Sequence, residues 1–328
     1  MASPNIQTRA TLGDLGKRGL GPQFEDVFDQ NLVRYSGRDT VEKIVSYIKT
    51  EKAVLRTTGL TGYELLTEFE EGAAIPQTSN VKTFETVYTV RDYGKGVTVT
   101  HDQTQDREAV GQALDEFAGL TKSADVTFAK GPMMMLNGAF GTTAKVQGFS
   151  LHRYNDEALV ATSHSRADGG TAQSNRSATN IVLTELNLET VRLQLVKQLT
   201  DNGLPIMDMG RIHLVTPDDL EKSAVIFTGS TLRPSTANND LNFYRGIQMD
   251  VISSRWLNST FGGSATQWFL IADFAGNMKA LRVYHRGAPE FRSGYDNLTW
   301  NETFNVKHRY AIGNAHWLGV AGSDGTGS

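Results

Sequence analysis

Between residues 63 and 137 the spacing of apolar and polar positions changes once, and the change predicts two different elements. Tyr63-Glu-Leu-Leu-Thr-Glu-Phe69 reads as extended backbone and runs to a Gly- and Pro-containing tip, residues 71–80. A second extended run, Val81 to Arg91, comes back from that tip, and Val97 to Gln103 follows it. The returning run is rich in Thr, Val, Tyr and Phe, which suit a pleated strand. Phe84, Tyr88 and Val90 lie on different sides from Glu85 and Thr89, so neither face of it is a clean core face. From about Asp106 the rhythm becomes helical: Val110, Leu114, Phe117, Leu120, Ala124 and Phe128 form one stripe. Asp106 and Glu108 sit in the first turn, where the helix dipole favours acids. Gly131-Pro132 is expected to kink or end the helix, because proline lacks the donor and clashes with the preceding turn. The Met133-Met-Met-Leu136 run beyond it reads as adaptable core filler rather than a soft binding surface.

The flanking segments are shorter and mixed. Val41 to Ile48 reads as a strand or short helix. Residues 141–183 form a polar, loop-rich segment. A helix follows, with Thr184 as its N-cap, Leu188, Val191, Leu195 and Leu199 as its stripe, and Gly203 and Pro205 as its stop. Strand Ile212–Val215 leads into Thr216-Pro217, a cap and a first-position proline. Further strands are expected at Ile247–Ile252, Trp268–Ala272, Ala280–Tyr284 and Thr303–Tyr310, then Trp317–Val320 and a disordered Gly/Ser tail. Strands interleaved with few helices indicate α+β.

Composition changes this picture mainly by exclusion. The chain has 328 residues, no cysteine and a formal net charge of −4. Disulfides, Cys-ligated zinc, iron–sulfur clusters and thiol nucleophiles are ruled out. A dedicated nucleic-acid reader is usually basic, so the charge argues against one and is neutral on a container. No apolar run approaches the roughly 20 residues of a membrane span, and residues 1–7 do not read as a secretion signal. Phosphate-binding loops, H-E-x-x-H, EF-hand spacing and G-x-S-x-G are absent from the sequence. The best enzyme-like cluster is Ser163-His164 with Asp168-Gly-Gly170, on what reads as an exposed polar loop. Sequence neighbours rarely form a triad, so no catalytic, cofactor-binding or metal-ligating residue is assigned. His308 and Trp317 read as core.

A lone two-stranded ribbon is barely stable in water, so the arm makes sense mainly if another subunit covers it. The order of arm then long helix resembles the major capsid proteins of tailed bacteriophages, the fold named after phage Hong Kong 97, over about Phe24 to Gly322. The resemblance implies an α+β fold with an N-terminal arm (1–35), an E-loop (60–100) and a spine helix (about 106–137). The helix lies in a peripheral domain of 36–59, 101–210 and 287–322. An axial domain (211–286) and a disordered tail (323–328) complete it. It implies a non-enzymatic shell protein without cofactors, associating with itself as pentamers and hexamers around double-stranded DNA that it does not read by sequence. A portal protein and a separate scaffolding protein are its expected partners, with a decoration protein as an optional one and no membrane. It would be assembled in the host bacterial cytoplasm and reside in the virion. The interface residues expected are Phe24 and Phe28 on the N-terminal arm, Gly72, Ile75 and Pro76 at the tip, and Phe84 and Tyr88 on the returning strand. Lys82 and Lys95 flank that strand. In some family members an arm lysine forms an isopeptide bond, but solvated lysines are the favoured reading. Two alternatives stand beside this: an encapsulin-type compartment, which shares the fold, and a hydrolase using the His164 loop.

Overall fold

A computed structural model describes residues 39–58, 65–77, 82–105, 107–177, 179–206, 209–232, 241–247, 249–274 and 279–327. Phe24, Phe28 and the expected arm 1–35 lie outside the described residues. The fold is α+β. The chain divides into two compact units, a smaller one described through Asp92–Phe128 and Gly287–Arg309, and a larger one of Arg38–Arg91, Ala129–Arg286 and Tyr310–Ser328.

In the smaller unit, strand Glu290–Tyr295 lies antiparallel to the first part of a long closing strand, Glu302–Asn314, with Glu290 opposite Lys307 and Tyr295 opposite Glu302. Strand Arg91–Val99 also pairs with the closing strand. The long helix, Arg107–Asn137, begins here. Its stripe does what its spacing predicts: Phe117 and Leu120 are buried with Val99, Phe304 and Val306, and Leu114, Ala124 and Phe291 close the margin. Phe117 meets Phe291 edge-on at 5.1 Å. Phe128 lies 4.6 Å from the His308 ring, and both are buried. On the exposed side Asp92 pairs with Lys307 (3.0 Å) and Arg309 (2.6 Å), and the Lys307 bond is the main reason its carboxyl is held below the usual range.

The helix does not break at Gly131-Pro132, contrary to expectation. Two local facts account for this. Part of the penalty on a residue before proline comes from its Cβ, and Gly131 has none; a Cβ there would fall inside contact distance of Ile312 Cδ1. Beyond the proline, Met133, Met134, Met135 and Leu136 are all fully buried. Burying four such side chains, at about 1.5–3 kcal/mol each, outweighs one lost helical hydrogen bond.

The larger unit holds two sheets. In the first, Val45–Lys49 runs parallel to Leu281–His285, which is antiparallel to the end of the closing strand; that end is parallel to Phe149–His152, with Lys145–Val146 at the edge. The second has the order Val320–Ser323, Trp268–Phe274, Met209–Thr216, Asp250–Ser253. Helix Glu185–Val196 starts where expected: Thr184 Oγ1 accepts from the Asn187 amide at 3.3 Å. Leu188, Val191 and Leu195 are buried with Ile212, Leu214, Trp268, Leu270 and Ala321. At helix Asp218–Gly229 it is Pro217, not Thr216, that takes the N-cap position.

Three expectations need correction. Residues 141–177 are not loose loop: Asn175 is completely buried, donates to the carbonyls of Leu159 (2.8 Å) and Val320 (3.0 Å), and accepts from the Ala161 amide (2.8 Å). The tail through Gly327 is not disordered: Arg176 pairs with Asp324 at 2.8 Å, and the Gly327 amide donates to Asn180 at 2.7 Å. The expected boundaries at 210/211 and 286/287 do not divide the sheets. Val320–Ser323 pairs with Trp268–Phe274, and Val45–Lys49 pairs with Leu281–His285. No helix among the described residues is long and apolar enough to cross a membrane.

Candidate functional site: the arm and its root

The arm is narrower than its sequence predicts. Only Val54–Thr57 and Thr86–Thr89 pair as strands, with Val54 opposite Thr89 and Thr57 opposite Thr86. Tyr63 and Val81 lie outside the described residues, and residues 65–70 are not strand. Every residue from 65 to 77 is exposed. Leu65 is 75 % accessible, Leu66 fully so and Ile75 66 %. Gly72 carries the turn with φ +85°, and Pro76 is exposed. Glu68, Glu70 and Glu71 share this stretch, so the tip presents apolar side chains beside carboxylates. Soluble chains rarely leave adjacent large apolar side chains bare without a partner surface. Lys82 and Lys95 are exposed as well.

The root of the arm is anchored within its own unit, which corrects one of the expected interface residues, Tyr88. Tyr88 is completely buried, with its ring 4.7 Å from Tyr284 and 5.8 Å from His152. Val90, Tyr284 and Ala311 share that cluster, with Ile48 and Leu55 at its edge. Phe84 is half-buried, edge-on to Tyr154 at 5.9 Å. The returning strand is amphipathic after all: Thr86, Tyr88 and Val90 point inward and Val87 outward. Tyr88 therefore has no surface left for a neighbour, and burial pushes its hydroxyl pKa up.

His164 also departs from its sequence reading. It is 1 % exposed and stacks flat on Trp317 at 4.4 Å with 4° between the planes. Its Nε2 lies 2.8 Å from Asn175 Oδ1 and its Nδ1 3.1 Å from Glu157 Oε2. The Ala161 amide fixes which end of Asn175 is oxygen, so Nε2 must donate. Both ring nitrogens are thus engaged and neither is open to Ser163, which is exposed, as is Asp168. Burial holds the ring's pKa below its ordinary 6.5, against the opposing pull of Asn175 and Glu157. His164 is a stacked core residue, and the chemistry imagined for its loop has no geometry to work with. Among the described residues no group of three or more His, Asp or Glu side chains is placed to hold a metal ion.

Sequence reasoning missed His152, which holds the returning strand from the side. The amide of Thr89 donates to His152 Nε2 at 3.1 Å, and His152 Nδ1 lies 2.9 Å from the Ile312 carbonyl oxygen. Gly313 makes room for this: a Cβ there would sit 2.8 Å from Tyr88 Cε1 and inside contact distance of the His152 carbonyl oxygen. A single His in a short strand gives no sequence signal, since its role is set by two segments 63 and 160 residues away. The glycine in an otherwise alternating strand was the one available hint.

A family model described as phage capsid protein matches residues 83–323. The chain belongs to that family of phage capsid proteins. Solved structures agree in fold. One from Mycobacterium phage Patience superposes with a TM-score of 0.56 at 12 % identity, covering 98 % of this chain and 93 % of that one. The capsid of a native GTA particle gives 0.52 at 11 % identity, covering 88 % and 90 %. No curated protein sequence matches the chain.

Proposed function

We propose that this capsid protein builds its shell by self-association into five- and six-membered rings, with the arm of each subunit laid over the next. The observation that carries the proposal is the tip: Leu65, Leu66, Phe69 and Ile75 stand exposed on an arm whose root is firmly held. An anchored arm with an apolar end suits permanent subunit contacts, which usually bury on the order of 2,000–5,000 Å². Gly72, Ile75 and Pro76 are the contact residues proposed. The described part of 60–100 is taken as the E-loop and Arg107–Asn137 as the spine helix. In this reading the shell encloses double-stranded DNA without reading its sequence, and portal and scaffolding proteins are separate chains. The protein acts structurally, not as an enzyme, and ends in the virion after assembly in the host cytoplasm.

Electron microscopy of the purified chain, and of particles from a lysate containing it, tests this. Closed shells tens of nanometres across with pentameric vertices are expected. DNA and a portal vertex in the lysate particles identify a phage head, while an enzyme cargo identifies a compartment instead. Particles that lack this chain in their shell would overturn the proposal.

A further inference from the structure

Strand Thr86–Thr89 has two edges. One pairs with Val54–Thr57. The other faces Phe149–His152, which belongs to a different sheet, and the Thr89 amide donates across to His152 Nε2. The Ile312 carbonyl oxygen can only accept, so the ring proton sits on Nδ1 and Nε2 is left as an acceptor. The neutral Nδ1–H tautomer is therefore built into the root of the arm.

We propose that His152 is a proton-operated latch: taking up a proton on Nε2 sets a second donor against the Thr89 amide and releases the returning strand from Phe149–His152. The latch is a property of the single chain and does not depend on shell formation. Facing the ring from the returning strand are Tyr88 and, just beyond it, Arg91; Tyr284 lies behind Tyr88 and is within 3.4 Å of Arg282. Arg91 is a cation and disfavours a second positive charge on the ring. Burial is the larger influence, however, and it holds His152 below its ordinary value of 6.5, with the Ile312 carbonyl opposing and Arg91 adding to it. A group whose pKa is lower in the latched form than in the released form favours the latched form at high pH. The latch is therefore complete above pH 6.5 and weakens as the pH falls from there through the latched-form value.

The test is amide hydrogen exchange of the full chain between pH 7.5 and 5.0, with rates corrected for the intrinsic pH dependence of exchange. Residues 86–90 are expected to lose protection over that range, while Trp268–Phe274 keeps its own. In the His152→Gln variant, whose amide oxygen accepts without titrating, the protection of 86–90 should stay flat. Should that variant not fold, proton NMR of the histidine rings decides in the wild-type chain. The His152 ring should titrate below pH 6.5, at the same midpoint as the loss of protection. Protection of 86–90 independent of pH, the same pH dependence in His152→Gln, parallel loss in Trp268–Phe274, or two different midpoints would each overturn the proposal.

Discussion

At the scale of single residues, histidines that look alike in sequence have distinct roles set by what lies on either side of the ring. His164 is clamped between Asn175 and Glu157 and stacked on Trp317. Replacing it by Ala removes the stack and leaves Glu157 facing a cavity. A loss of about 2–4 kcal/mol is expected from the chemical-denaturation midpoint. Because its pKa is lowered in the fold, its contribution is full above pH 6.5 and shrinks as the pH falls below that value. The fall in denaturation midpoint from pH 7.5 to 5.5 should accordingly be smaller in His164→Gln than in the wild type. Gly313 matters for what it lacks. Gly313→Ala drives a methyl group into the His152 carbonyl oxygen and Tyr88. Backbone on one side and a buried ring on the other leave it nowhere to go, so a loss of about 1–3 kcal/mol is expected, with exchange rising first in residues 86–90.

At the scale of elements, legibility followed the range of the interactions. Phe117 and Leu120 declared their helix because the pattern and the burial share one local period. Leu188, Val191 and Leu195 did the same. Leu195→Ala should cost about 2–5 kcal/mol, while Leu186→Ala on the exposed face of the same helix should stay within about 0.5 kcal/mol. Thermal unfolding of the pair checks the orientation of the helix. Where order comes from distant partners, the local reading went astray. Residues 141–177 look like loop because their hydrogen bonds end on side chains such as Asn175 and on Val320 far along the chain. The tip and the root of the arm look equally polar in sequence, yet one is bare and the other carries a fully buried tyrosine. Gly131-Pro132 reads as a stop only if proline's effect is judged without the four buried side chains that follow it.

At the scale of the whole molecule, the tip should be separable from the fold. The double substitution Leu66→Asp and Ile75→Asp alters exposed side chains, so the unfolding midpoint should move by no more than about 0.5 kcal/mol. The yield of closed shells, counted by microscopy or sedimentation, should fall at least tenfold. An unchanged yield would place the subunit contact elsewhere. The parallel pairing of Val45–Lys49 with Leu281–His285 has a further consequence, in time rather than space. Chains grow from the N-terminus at about 5–20 residues per second, so Val45 waits some tens of seconds for its partner to leave the ribosome. Tyr284, His152 and Gly313 form the floor under Tyr88, and two of the three belong to that late-made portion. A nascent chain thus carries its arm for that interval without the floor that holds Tyr88. The order of synthesis therefore sets when the root of the arm can form.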